Sequence, residues 1–73
     1  METLDFSLRG EHIALCDLLK LAGIADSGGQ GKRMIAAGEV TVDGQPESRK
    51  TAKIRAGQTV DCSGIAIRVR TDA

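Results

Sequence analysis

The sequence predicts an α+β domain in which two helices pack against a small twisted antiparallel sheet, with an extra strand at the N-terminus. Three observations carry this. Leu15, Leu18, Leu19 and Ala22 recur at helical spacing; Ser27 opens a second short helix that Gly38 closes; and from Val40 to Val69 short apolar runs alternate with turn signals. At 73 residues the chain is expected to form one domain, residues 1–73, burying only about 60% of the surface of the unfolded chain.

In the first strand Leu4, Phe6 and Leu8 alternate with Thr3, Asp5 and Ser7, the pattern of a strand with one face buried. The leucine stripe then places Asp17 and Lys20 on the opposite helix face, and Gly23 ends the helix by accepting a left-handed backbone. The Ser27 hydroxyl is placed to accept from a free amide of the second helix's first turn. That helix is locally weak, because Gly28, Gly29 and Gly31 each cost about 1 kcal/mol relative to Ala in a helix interior. Packing must hold it, with Gly31, Met34 and Ile35 inward and Gly29, Lys32, Arg33 and Ala36 outward. If position 31 has room for a methyl group, Gly31→Ala is expected to stabilise by about 0.5–1 kcal/mol. Val40 and Val42 form a strand that turns at Asp43-Gly44, a pair suited to positive φ. Pro46 restricts the returning strand to an end or an edge. Ile54, Val60 and Cys62, and Ile65, Ile67 and Val69, supply two or three further strands, with turns at Ala56-Gly57 and Ser63-Gly64.

Composition limits what the chain can do. No apolar run approaches the roughly 20 residues needed to cross a bilayer, and the start lacks the positive charge of a signal peptide; the expected location is the cytoplasm, with no membrane partner. Cys16 and Cys62 lie far apart with only His12 as a possible imidazole partner, so they read as buried free thiols and no metal site is expected. No nucleophile and base, carboxylate pair or metal cluster occurs at recognisable spacing, so no catalytic residues, cofactor or small-molecule substrate are assigned. His12 reads as a surface or capping residue. Phe6 is the one aromatic side chain, which removes the stacking platforms used by many single-strand binders.

Net charge is zero, but it is unevenly spread. Residues 1–31 carry two basic against five acidic side chains, whereas residues 32–73 carry eight against five. Two groups stand out. Ser27, Gly28 and Gly29 lie at a helix start, where outward amides and the dipole favour an anion, and Lys32 and Arg33 follow one turn later on the same outward face. The alternative is that the glycines permit close helix packing while both cations are merely solvated. Arg49, Lys50, Lys53 and Arg55 follow the hairpin with no acidic residue among them. Lys53 and Arg55 flank Ile54, so alternation turns both away from the core. Because the hairpin leads back to the second helix, the two groups can adjoin, and a surface that tracks phosphates is weighed against an ordinary solvated face.

The ordered set Leu15-x-x-Leu18-Leu19, Gly23-Ile24-Ala25-x-Ser27, Lys32-x-x-Ile35-x-x-Gly38, Val40-x-Val42-x-Gly44 and Gly57-Gln58-Thr59-Val60 resembles the S-four-type RNA-binding domain, whose αL motif would have its core at residues 15–62. The segments Leu15 to Lys20, Ser27 to Lys32 and Glu47 to Ile54 are similar to a small bacterial subgroup, the YbcJ-like proteins. The resemblance implies an S-four-like fold and binding of structured RNA, ribosomal or transfer RNA, with the ribosome or another RNA-associated protein as a further partner. The family commonly places Arg directly after the capping Ser; this chain has Gly28 there. The resemblance implies that Lys32 and the Arg49-Lys50-x-x-Lys53 run supply that charge. The rival reading is a protein-interaction adaptor that keeps the fold with weak or no RNA affinity.

Overall fold

The computed structural model describes residues 2–71. Its elements in order are β1 (Glu2–Leu8), β2 (Ile13–Ala14), α1 (Leu15–Leu21), α2 (Gly28–Ala36), β3 (Val40–Val42), β4 (Gln45–Pro46), β5 (Lys53–Ile54), β6 (Thr59–Cys62) and β7 (Ile65–Thr71). Five strands form one sheet in the order β1-β7-β6-β3-β4, and β2 pairs with β5 in a second, two-stranded ladder. The run β7-β6-β3-β4 is antiparallel, as expected. The N-terminal strand joins it parallel to β7, pairing Leu4 with Ile67 and Phe6 with Val69, so the whole sheet is mixed. Period-2 alternation alone does not reveal strand direction, which is decided by the long path from β1 back to β7.

The register puts the large apolar strand positions on one face, while buried Ala66 lies on the other in line with Thr3 and Asp61. Val42, Val60, Ile67 and Leu4 lie in one row across the sheet, and Val40, Cys62 and Ile65 in the next. Against this face pack Leu15, Leu18 and Leu19 of α1 and Ile35 of α2, all fully buried and in one cluster with Val40, Val60 and Ile67. The opposite sheet face carries Thr3, Asp5, Ser7, Thr59, Asp61, Arg68 and Arg70. The domain therefore has two layers, helices on one side and a polar sheet face on the other.

The turns follow the sequence chemistry. Asp43 and Gly44 have φ of 51° and 81°, the paired positive values of a two-residue hairpin. The Asp43 carboxylate also accepts from the Thr59 amide at 2.9 Å and from Gln58 Nε2 at 3.3 Å, locking the hairpin to β6. Pro46 lies in the edge strand β4, where its missing N–H costs nothing. Helix α1 ends at Gly23, with φ of 82°. Cys16 and Cys62 are both buried and unpaired, and Cys16 is a full member of the core. Among the described residues no helix is long and apolar enough to cross a membrane, and no group of three or more His, Cys, Asp or Glu is placed to hold a metal ion.

Candidate nucleic-acid interface

Helix α2 begins as its sequence dictates. Ser27 has an extended backbone, and its Oγ accepts from the Gln30 amide at 3.1 Å. Gln30 reciprocates by accepting from the Asp26 amide through Oε1. The exchange resembles a capping box, except that Gln30 reaches the amide of Asp26, one residue before the cap. Gly29 presents an open surface, with only Ser27 Oγ at 3.8 Å from where a Cβ would sit, and nothing lies within 4 Å of that point at Gly28. Lys32 and Arg33 are exposed on the outward face, while Gly31 and Ile35 are buried.

Helix α1 begins differently, and this positions the second basic group. Its N-cap is Ala14, which offers no side-chain bond. The first two amides are met by the chain after the hairpin: Leu15 N–H donates to the Ala52 carbonyl at 2.9 Å, and Cys16 N–H to the Lys50 carbonyl at 3.1 Å. Beside them β2 and β5 pair Ile13 with Ile54 and Ala14 with Lys53. Residues 50–54 are thus strapped across the start of α1 because that helix lacks a cap of its own. Of the two readings of His12, surface or capping residue, the structure shows the first: His12 is exposed ahead of β2.

Cys16 also meets α2. A Cβ built at Gly31 would lie 2.9 Å from the Cys16 carbonyl oxygen, so the two helices touch backbone to backbone there. One residue of α1 therefore contacts Lys50 through its amide and Gly31 through its carbonyl. The chain positions bearing Lys32 and Lys50 converge on the same helix turn, although they are 18 residues apart in the sequence. Around them Arg49, Thr51, Ala52 and Lys53 line an open depression. Lys53 and Arg55 are exposed on either side of buried Ile54.

The charges are not equally available. Arg49 is engaged by Glu47, its Nη2 at 3.0 Å from Oε1 and its Nε at 3.2 Å from Oε2, and its own amide donates to Oε2 at 3.1 Å. These hydrogen bonds from Arg49 hold the Glu47 carboxyl below the usual carboxylate range and push the guanidinium further up. Sequence inspection missed this because Glu47 lies just outside the one-signed run. Among the described residues Lys32, Arg33, Lys50, Lys53 and Arg55 form no ion pair.

Comparisons with known proteins follow the same residues. Residues 6–70 match the model of the S4 domain. The chain is 54% identical over 65 residues to "Putative RNA-binding protein YbcJ" of Escherichia coli (strain K12), covering 88% of this chain and 93% of that one. It is 36% identical over 58 residues to "Probable ribosome maturation protein RlbA" of Bacillus subtilis (strain 168), covering 80% and 82%. The solution structure of YbcJ from E. coli, described as revealing an αL motif involved in RNA binding, superposes with a TM-score of 0.69 at 48% identity. That match spans 97% of this chain and 89% of the other. With its helix pair, its hairpin and nearly its whole length accounted for, this chain belongs to the S4 domain family.

Proposed function

We propose that this domain binds structured RNA in the cytoplasm without catalysis, through Ser27, Gly28, Gly29, Lys32 and Arg33 of α2 together with Arg49, Lys50, Lys53 and Arg55. The observation that carries the reading is the convergence at Cys16, which ties the Lys50 and Gly31 backbones to one turn of α1. Such a surface favours phosphate contacts and shape, because the deep major groove of A-form RNA is closed to side chains. Ribosomal or transfer RNA is the proposed class, and the name of the Bacillus subtilis relative, a ribosome maturation protein, supports the ribosomal side.

Filter binding to total ribosomal and transfer RNA over a salt series tests this. Affinity should fall with a log-log slope of about −0.7 per phosphate neutralised for single strands and about −0.9 for duplex, with roughly two to five contacts for a module this size. Glutamine at Lys32 or Lys50 should weaken binding and flatten the slope by about one contact each. Lys20→Gln, outside both groups, should change little. A folded variant with glutamine at Lys32, Arg49 and Lys50 that binds as well as the parent overturns the assignment.

A second reading, a protein-interaction adaptor, draws on one observation. Leu21 is 62% exposed, and with Phe6, Leu8 and Ile13 it lines an apolar groove beside His12. Tight, salt-insensitive capture of a protein, lost on Leu21→Ser, would favour it.

A further inference from the structure

Strand β7 carries two arginines outside the surface just proposed. Arg68 and Arg70 alternate with Ile67 and Val69, and since the latter are buried in the core, both arginines are turned onto the polar outer face of the sheet. They do not stand alone there. The turn from Arg55 to Gln58 is fastened to β7 between them, with Gly57 N–H donating to the Val69 carbonyl at 2.8 Å and Val69 N–H to the Gln58 carbonyl at 3.0 Å. The Gln58 side chain in turn accepts from the Arg55 amide at 2.8 Å. Gly57, Gln58, Thr59, Arg68 and Arg70 line an open cleft of about 250 Å³, and the Arg55 backbone forms one end of the same turn.

Arginine and carboxylate share this face: Asp5 lies opposite Arg68 in the register and pairs with Arg70, and Asp61 stands on the same side of the sheet, so an anion binds here by displacing the Asp5 contact. Among the described residues Arg68 and Arg55 form no ion pair, and Arg70 makes only a solvent-exposed contact with Asp5, Nε to Oδ1 at 3.3 Å. The Asp43 carboxylate nearby is already occupied by the Gln58 amide group and the Thr59 N–H. Exposed pairs such as Asp5–Arg70 are weak and yield readily to a phosphate, which offers Arg a bidentate partner.

Position decides what such an anion belongs to. Lys32 and Arg33 face away from the sheet, whereas Arg68 and Arg70 face away from the helices, so the two groups lie on opposite sides of a domain 21 Å across its shortest axis.

We infer that the Arg68–Arg70 cleft, with Arg55 at its edge, is a second phosphate-contacting site that takes the backbone of a separate segment of the same folded RNA. The inference rests on the RNA-binding reading above. It makes the domain a wedge between two RNA segments, with Arg55 at the seam between the surfaces.

The test uses Arg68→Gln with Arg70→Gln, both exposed positions, and circular dichroism to confirm folding. Each variant is titrated against intact folded ribosomal RNA and against a hairpin with a stem of about ten base pairs. The double variant should bind folded ribosomal RNA about three- to tenfold more weakly with a salt slope flatter by one to two contacts, and the hairpin nearly as the parent does. Asp5→Asn, which releases Arg70, should shift affinity for folded RNA the other way, by about twofold. If the parent binds folded RNA and Lys32→Gln weakens it while the double variant and Asp5→Asn change nothing, the second site is wrong and the primary surface stands. If the parent binds neither RNA, the underlying reading fails and this inference with it.

Discussion

Gly31→Ala is the perturbation on which sequence and structure disagree in sign. By helix propensity the change should help, since Ala is about 1 kcal/mol better than Gly in a helix interior. The structure places the new methyl 2.9 Å from the Cys16 carbonyl oxygen, 3.4 Å from its Cα and 3.6 Å from its carbonyl carbon. These are backbone atoms, and they are held: the Cys16 N–H is bonded to Lys50 and the neighbouring Leu15 N–H to Ala52. To relieve the contact α2 must move away by a few tenths of an ångström, opening its packing around fully buried Leu15, Leu19 and Ile35. Overpacking of this kind costs about 1–3 kcal/mol. Set against the propensity gain, the balance is a net loss of about 0–2 kcal/mol, or a fall in Tm of up to roughly 16 °C for a domain of this size.

Urea and thermal unfolding followed by circular dichroism measure the difference. Gly29→Ala is the matched control, because its methyl would meet only the Ser27 hydroxyl at 3.8 Å, an ordinary contact. It should be neutral or slightly stabilising. A Gly31→Ala protein as stable as Gly29→Ala, or more stable than the parent, would refute the argument that backbone contact at Cys16 sets the helix spacing.

Ile35 is fully buried between the helices and the sheet, and Ile35→Ala should cost about 2–5 kcal/mol, enough to unfold a large fraction of so small a domain; a loss below 1 kcal/mol in urea melts would contradict the assigned core. Cys16 and Cys62 are buried and unpaired, so mass spectrometry should find two free thiols that alkylate only under denaturing conditions, and a native Cys16–Cys62 disulfide would overturn this. Arg49→Gln should weaken RNA binding less than Lys50→Gln, because Glu47 already occupies the guanidinium; equal losses in the salt series would show that the pair opens freely. Glu47 has a folded pKa below its ordinary value, so its contribution to stability is complete above the ordinary carboxylate range and disappears as pH falls through the lowered one. Glu47→Gln should remove that acid-side component from the pH dependence of Tm, and an unchanged profile would refute it.

Much of the fold was legible because it rests on local chemistry. The Leu15-Leu18-Leu19 stripe, the Ser27 cap, the Asp43-Gly44 turn and the alternation around Ile54 each depend on neighbours within a few residues. Strand direction was not legible, since β1 meets β7 across some sixty residues and alternation is the same for either direction. Nor was the short β2, two residues whose pairing exists because β5 lies alongside. At Gly31 the sequence leaves open a cost in helix propensity or a close helix contact, and only the packing against Cys16 selects the second. The candidate site divides in the same way. Exposure of Lys32, Arg33, Lys53 and Arg55 followed from period, but the strap of residues 50–54 over α1 was invisible, because it arises from a cap that Ala14 fails to supply.

The zero net charge acquires a different meaning once partners are assigned. Residues 49–55 look like four equivalent cations in the sequence, yet Glu47 engages one of them, and at the far end of the chain Asp5 engages Arg70. Both pairs are exposed on at least one side, with Arg49 78% and Arg70 55% exposed, so neither is held by burial. An incoming phosphate competes for these guanidinium groups with a carboxylate whose hold is weak in water. The cations that form no ion pair among the described residues, Lys32, Arg33, Lys50, Lys53, Arg55 and Arg68, are distributed over both faces of the two-layer fold. Neutrality overall is therefore compatible with strong local attraction at two separate surfaces, because at physiological salt a charge is felt only within about 8 Å. The acidic residues of the first 31 positions lie on β1, α1 and the loops beside them. On the proposed reading, orientation on an RNA would follow from where these cations stand, and their backbone is positioned by the contacts of Cys16 on one face and of Val69 on the other.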